Sequence, residues 1–247
     1  MATSADFLAG ASRATPARDA DTAFFARMTL GLALFIAFGF AQFEARGLAP
    51  FALFPWVVHA HAAAMVGWLA LLVVQPRLVA SGSMALHRRV GWLSCALLAA
   101  IVVFGSMTGV AAVRLGFVPP FFTPAYFLAL VHVGVLSLAA MVGWAIVVRR
   151  RTDWHRRLIV GSTILILEPA LGRLLPMPLL GAWGEWLALA CQLGALGFLA
   201  AHDRRTLGRV HPATLASGAA VVAAHLLVET LAVFPPLVAL AGSIASA

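Results

Sequence analysis

Residues 54–78, FPWVVHAHAAAMVGWLALLVVQPRL, contain no Asp, Glu or Lys, and only Arg77 near their end. A charge-free stretch of this length is what one helix needs to cross about 30 Å of hydrocarbon at roughly 1.5 Å per residue. Its Met65-Val66-Gly67-Trp68 leads to His87-Arg88-Arg89, and the same order returns as Met141-Val142-Gly143-Trp144 followed by His155-Arg156-Arg157. The repetition predicts two related membrane hairpins.

On either side of that stretch the hydropathy pattern predicts further spans near 27–46, 88–113, 121–148, 155–175, 183–201 and 212–233. The expected fold class is therefore all-α, an integral membrane bundle of seven transmembrane helices with duplicated hairpins. Turn residues sit where the pattern breaks: Pro50 and Pro55, Ser81-Gly82-Ser83, Pro119-Pro120, Pro176 with Pro178, and Pro212 just inside the last helix. Residues 1–26 read as a flexible cytoplasmic tail, 27–234 as the seven-helix domain, and 235–247 as an apolar tail too short to cross again.

With 62% apolar and 11% charged residues, the composition excludes an ordinary soluble domain. The lipid bilayer is the partner it implies. All 17 basic residues are arginine, and only Arg46, Arg114 and Arg173 fall on one side of the expected bundle. The rest precede the first span or lie between spans 2 and 3, 4 and 5, and 6 and 7. Basic loops are retained in the cytoplasm, so the N-terminus is expected inside a bacterial inner membrane and the C-terminus outside. The net charge of +8 is thus topological and does not point to nucleic acid. Cys95 and Cys191 form no CxxC pair and are expected as buried free thiols.

Histidines within apolar spans invite a functional reading, because ionisable groups are costly there. A rise of about 1.5 Å per residue places His61, His132, Glu168 and His225 in the outer half. His59, two residues from His61, points about 200° away and cannot serve the same ligand. His87, His155 and His211 each open a helix at the opposite surface, beside arginines.

This spacing of His61 and His132 on spans 2 and 4, with His87 and His155 on spans 3 and 5, resembles the two-heme membrane cytochromes of the cytochrome b561 type over residues 55–175. The stretch from His61 through Trp68 and Gln75 to Leu86-His87-Arg88-Arg89-Val90-Gly91-Trp92 also resembles uncharacterised bacterial polytopic membrane proteins with the same Leu-His-Arg helix start. The cytochrome resemblance implies His61 and His132 as axial ligands of one heme b and His87 and His155 of the other. It also implies propionate contacts to the arginines, and electron transport between a quinone or other redox partner and an acceptor across the membrane.

Other constellations support different classes. Glu168-Pro169 predicts a kink, since Pro169 cannot donate to the carbonyl of Leu165. A buried acid there, with Arg173 five residues on, would line a polar path in a cofactor-free transporter or a membrane assembly or scaffold protein. His225 and Glu229, at i and i+4, have the spacing of metal ligands, and with His61 or His132 would suggest a zinc-dependent intramembrane hydrolase. No P-loop, nucleophile elbow or dinucleotide-binding glycine fingerprint occurs.

Overall fold

The computed structural model describes residues 16–49 and 51–247. Among them are ten α-helices and no strand: α1 (Pro16–Ala45), α2 (Trp56–Ala80), α3 (Met84–Arg114), α4 (Pro124–Val147), α5 (Thr152–Leu165), α6 (Glu168–Leu174), α7 (Met177–Leu180), α8 (Gly184–Leu207), α9 (Pro212–Ala232) and α10 (Pro235–Ala245). Six of them, α1, α2, α3, α4, α8 and α9, are long and apolar enough to cross a membrane. The protein is a multi-pass helical membrane protein. Its outward-facing positions carry large apolar side chains such as Leu34, Phe38, Val66 and Phe198, which only a hydrocarbon surround makes favourable in such number.

Helix starts follow local chemistry. Thr123 accepts a hydrogen bond from Tyr126 N (3.1 Å) and Pro124 takes the first position of α4. His211 accepts from Ala213 N (3.1 Å) ahead of Pro212 in α9. Each pairing uses a side chain for an orphan N–H and a proline where no N–H is needed. Gly208, at φ +70°, closes α8 in the left-handed conformation that only glycine adopts without strain.

The expected fifth span, 155–175, is not one helix. It divides at Ile166–Leu167 into α5 and α6, because Pro169 has no N–H for Leu165 O and the chain tightens, with Leu167 N bonding Ile164 O at 3.1 Å. Gln192 of α8 repairs the gap, its Nε2 donating to Leu165 O (2.7 Å) and Ile164 O (3.1 Å). An unmet carbonyl in hydrocarbon would cost several kcal/mol. The break is thus held open by a side chain from another helix.

Helix α5 is packed by α1, α4, α8 and α9, and the α2–α3 hairpin lies against α4 and α1. Leu158, Ile164, Ala170, Leu199 and Val221 belong to the main core around α5. Ala64, Trp68, Ile101, Val135, Leu138 and Val142 form a second core, against which Ile159 of α5 and Ile166, just past its end, also pack. At Gly161 of α5 an added Cβ would collide with the Ser217 side chain of α9, so these two helices meet at the closeness that small residues permit.

Three expectations change here. The segment read as a mobile tail through residue 26 is helical from Pro16, and its end is docked: Phe25 is buried and Asp21 pairs with Arg156. Residues 1–15 lie outside the described residues. Cys191 is exposed and Cys95 half-buried, since Cys191 sits beside inward-facing Gln192 and is turned about 100° away from it. The apolar end, expected as a tail too short to cross, is short as expected but carries helix α10 (Pro235–Ala245), which packs on α4 and α3 and buries Ala241.

Candidate functional site

The four candidate heme ligands lie in two layers of the α2–α5 region. In the first, His61 of α2 sits against Gly105 of α3, where a Cβ would come within 3.0 Å of its Cε1, and His132 of α4 sits by Gly109, 3.6 Å from the corresponding position. The two rings occupy successive glycine notches on α3, about 6 Å apart along its axis. His132 Nδ1 donates to Leu128 O at 2.8 Å, which leaves Nε2 with its lone pair. His61 Nδ1 is buried without a hydrogen-bond partner. His59, by contrast, bonds Phe54 O at 3.1 Å through Nε2, in the connection preceding α2.

In the second layer, His155 Nδ1 donates to Ala145 O at 2.8 Å, and again Nε2 is left as an acceptor. His87, within electrostatic reach of His155, has a different environment. The Gln75 amide, oriented to satisfy both its ends, donates to His87 Nδ1 (2.5 Å) and accepts from Gly91 N (3.0 Å). That bond places the imidazole proton on Nε2 of His87. The first layer therefore fits the donor chemistry of bis-imidazole heme ligation, whereas in the second His155 fits and His87, so bonded, does not.

His225 and Glu229 are brought together on α9, Nε2 to Oε1 at 3.9 Å, and Tyr126 OH donates to Glu229 Oε1 at 3.0 Å. Neither His61 nor His132 joins them: among the described residues no group of three His, Cys, Asp or Glu is arranged to hold a metal ion. Glu168 meets Glu185 of α8 within hydrogen-bonding reach. Arg173 makes no ion pair with Glu168 among the described residues. Its Nη1 donates to Pro169 O (2.7 Å), its guanidinium covers the Phe40 ring at 4.0 Å, and its backbone carbonyl accepts from Gln42 Nε2 (2.9 Å).

The opposite, arginine-rich end holds an ionic network that ties α1, α5, α8 and α9. Asp203 and Arg157 are fully buried; Asp203 accepts from Arg157 Nε (2.8 Å) and Nη2 (2.6 Å), His211 N (3.0 Å) and Thr214 Oγ1 (2.5 Å). His211 Nε2 meets Asp153 at 3.0 Å. Asp21 of α1 takes Arg156 and, at 2.7 Å, His202, whose ring stacks on Phe24 at 3.7 Å. Burial of one carboxylate under four donors fixes geometry, and its partners carry no open position for a substrate.

Sequence reading passed over Glu185, Gln192 and Asp203. Their separations of 7 and 11 residues put all three on one face of α8, within about 20° of each other at 100° per residue, and all three are buried. That polar stripe was the available signal. No protein-family model, no curated protein and no solved structure matches the chain.

Proposed function

We propose that this protein is a b-type heme-binding electron-transfer protein of the bacterial inner membrane, in which His61 and His132 would hold the heme. The observation that supports it is the first histidine layer. Two imidazoles from helices that flank α3 lie in consecutive glycine notches, one with its Nδ1 proton committed to a backbone carbonyl and the other buried beside the α3 backbone at Ile101, with its Nδ1 making no close hydrogen bond. Heme would supply one-electron chemistry. The chain's own contribution is to hold the two rings against α3, exclude water and fix the tautomer of His132.

In this reading α5 and α6 together make a seventh, broken crossing, the arginine-rich end faces the cytoplasm, and His87, held by the Gln75 amide, is not a ligand. A membrane quinol or another one-electron donor is the redox partner. The test is heme content per chain in purified variants. His61→Ala and His132→Ala each lose the heme while remaining monodisperse, and His59→Ala, whose ring bonds Phe54 O, retains it. Full heme occupancy in both His61→Ala and His132→Ala would refute the assignment.

A further inference from the structure

Where α5 breaks into α6, three carboxyls from three helices converge: Glu168 of α6, Glu185 of α8 and Glu229 of α9. Glu168 and Glu185 meet within hydrogen-bonding reach, and Glu229 lies within electrostatic reach of Glu185. The charged and titratable groups facing them are Tyr126 from α4, Arg173 from α6 and His225 from α9. At this end of α6, Gln42 of α1 donates to Arg173 O and accepts from Arg46 Nη1 (3.2 Å), which places Arg46 beyond Gln42, and Phe40 of α1 covers the Arg173 guanidinium; α10 carries no ionisable side chain. Arg173 is engaged with Pro169 O and Phe40, so one arginine near the group neutralises at most one of three acids.

Two further observations point to something these groups bind. Glu185 is 7% exposed, and its Oε1 is buried with no hydrogen-bond partner. The His225 side chain is 9% exposed, and its Nε2 is likewise buried and unsatisfied, aimed at Glu229 across 3.9 Å, which is too long for a hydrogen bond. Two carboxyls within hydrogen-bonding reach of each other favour a shared proton, because like charges so placed repel in a medium of low dielectric. No metal-holding arrangement exists among the described residues, so a proton is the cation the geometry accommodates.

We propose that Glu229, Tyr126, His225 and the Glu168–Glu185 pair form a proton-binding relay that opens at the end of the bundle opposite the arginine-rich network. Glu229, whose side chain is 36% exposed, is the entry. Hydronium in the water at that end gives its proton to the Glu229 carboxylate and is left as water, and Glu229 in turn yields one toward the buried Glu185 carboxyl. The proton then rests between Glu185 and Glu168, and no electron moves. Tyr126, whose hydroxyl hydrogen-bonds Glu229 Oε1, and His225 keep that route polar where the surrounding helix faces are apolar. The inference stands apart from heme binding, and its readout contains no heme.

Dicyclohexylcarbodiimide, an apolar reagent that adds the O–H of a protonated carboxylic acid across its C=N bond, is the probe. The purified full chain is treated in detergent over a pH series and the adducts are located by peptide mass. The expected result is one adduct per chain on Glu168 or Glu185, falling as pH rises, with exposed Glu44 unlabelled. Glu229→Gln is expected to slow that labelling several-fold, and the double variant Glu168→Gln/Glu185→Gln to abolish it. Infrared difference spectra of the wild-type protein give a readout that needs no variant: a protonated-carboxyl stretch at neutral pH that shifts in heavy water. Labelling that is absent from the pair, independent of pH, or unchanged in Glu229→Gln overturns the relay, as does an infrared spectrum with no such band.

Discussion

Replacing Asp203 by leucine removes one charge from the most enclosed ion pair in the protein. Arg157 and Asp203 have side chains 1% and 0% exposed, so the guanidinium left behind has no water to turn to. It keeps its bond to Asp153 O at 2.9 Å and the Phe25 ring 5.4 Å away, neither of which offsets a full charge. Breaking a buried pair from one side costs about 3–5 kcal/mol. Arg157→Met preserves most of the stem and leaves the carboxylate with two of its four donors, His211 N and Thr214 Oγ1, at about 2–3 kcal/mol.

In the double variant both charges are gone, and what remains is the cost of His211 N and Thr214 Oγ1 without an acceptor, about 1–3 kcal/mol each, which Asp203→Leu alone carries as well, so the coupling reports the stranded charges. The single losses therefore sum to well above the double, and the coupling is about 3 kcal/mol. Equilibrium unfolding of the four proteins in mixed micelles, followed by far-ultraviolet circular dichroism, measures it. Additivity within about 0.5 kcal/mol would show that the pair does not hold α5 to α8 as the geometry requires.

Gln192→Leu removes the amide that serves Ile164 O and Leu165 O. A loss of about 1–3 kcal/mol is expected in the same unfolding assay, with greater protease access near residues 164–170. Gly161→Ala drives a methyl into Ser217 and should destabilise by about 1–3 kcal/mol; adding Ser217→Gly should recover most of that, and no recovery would place the strain elsewhere. Gly105→Ala puts a methyl 3.0 Å from His61 Cε1 and 2.9 Å from Val135 Cγ1, so heme content should fall while Gly134→Ala, which meets nothing within 4 Å, leaves it unchanged.

Hydropathy made six span-length helices legible because a charge-free run of that length has one good solution in a bilayer. The break between α5 and α6 was half legible. Pro169 announced the missing bond at Leu165, but the residue that satisfies it, Gln192, lies 27 positions away, and nothing local marks such a partner. Arg157 illustrates the limit from the other side. Among eight arginines of the loops after α4 and α8 it reads as one more topological charge, yet it is fully buried on an acid 46 residues on. Trp68 and Trp144 occupy equivalent places in the repeated motif, but Trp68 is buried at 4% and Trp144 is 40% exposed, because α2 turns that position toward α3 and α4 while α4 turns it toward its periphery. Periodicity gives the element and, on α8, the polar face; which far residue meets it is a tertiary fact.

Dithionite-reduced minus oxidised visible spectra of the purified protein, expressed with heme precursor supplied and read alongside metal analysis, bear most directly on the electron-transfer proposal. Sharp reduced bands of a six-coordinate low-spin heme, lost in both His61→Ala and His132→Ala, are the expected result. A featureless spectrum from folded, monodisperse protein would contradict it and leave the carboxyl relay at the α5–α6 break as the chemistry of this bundle.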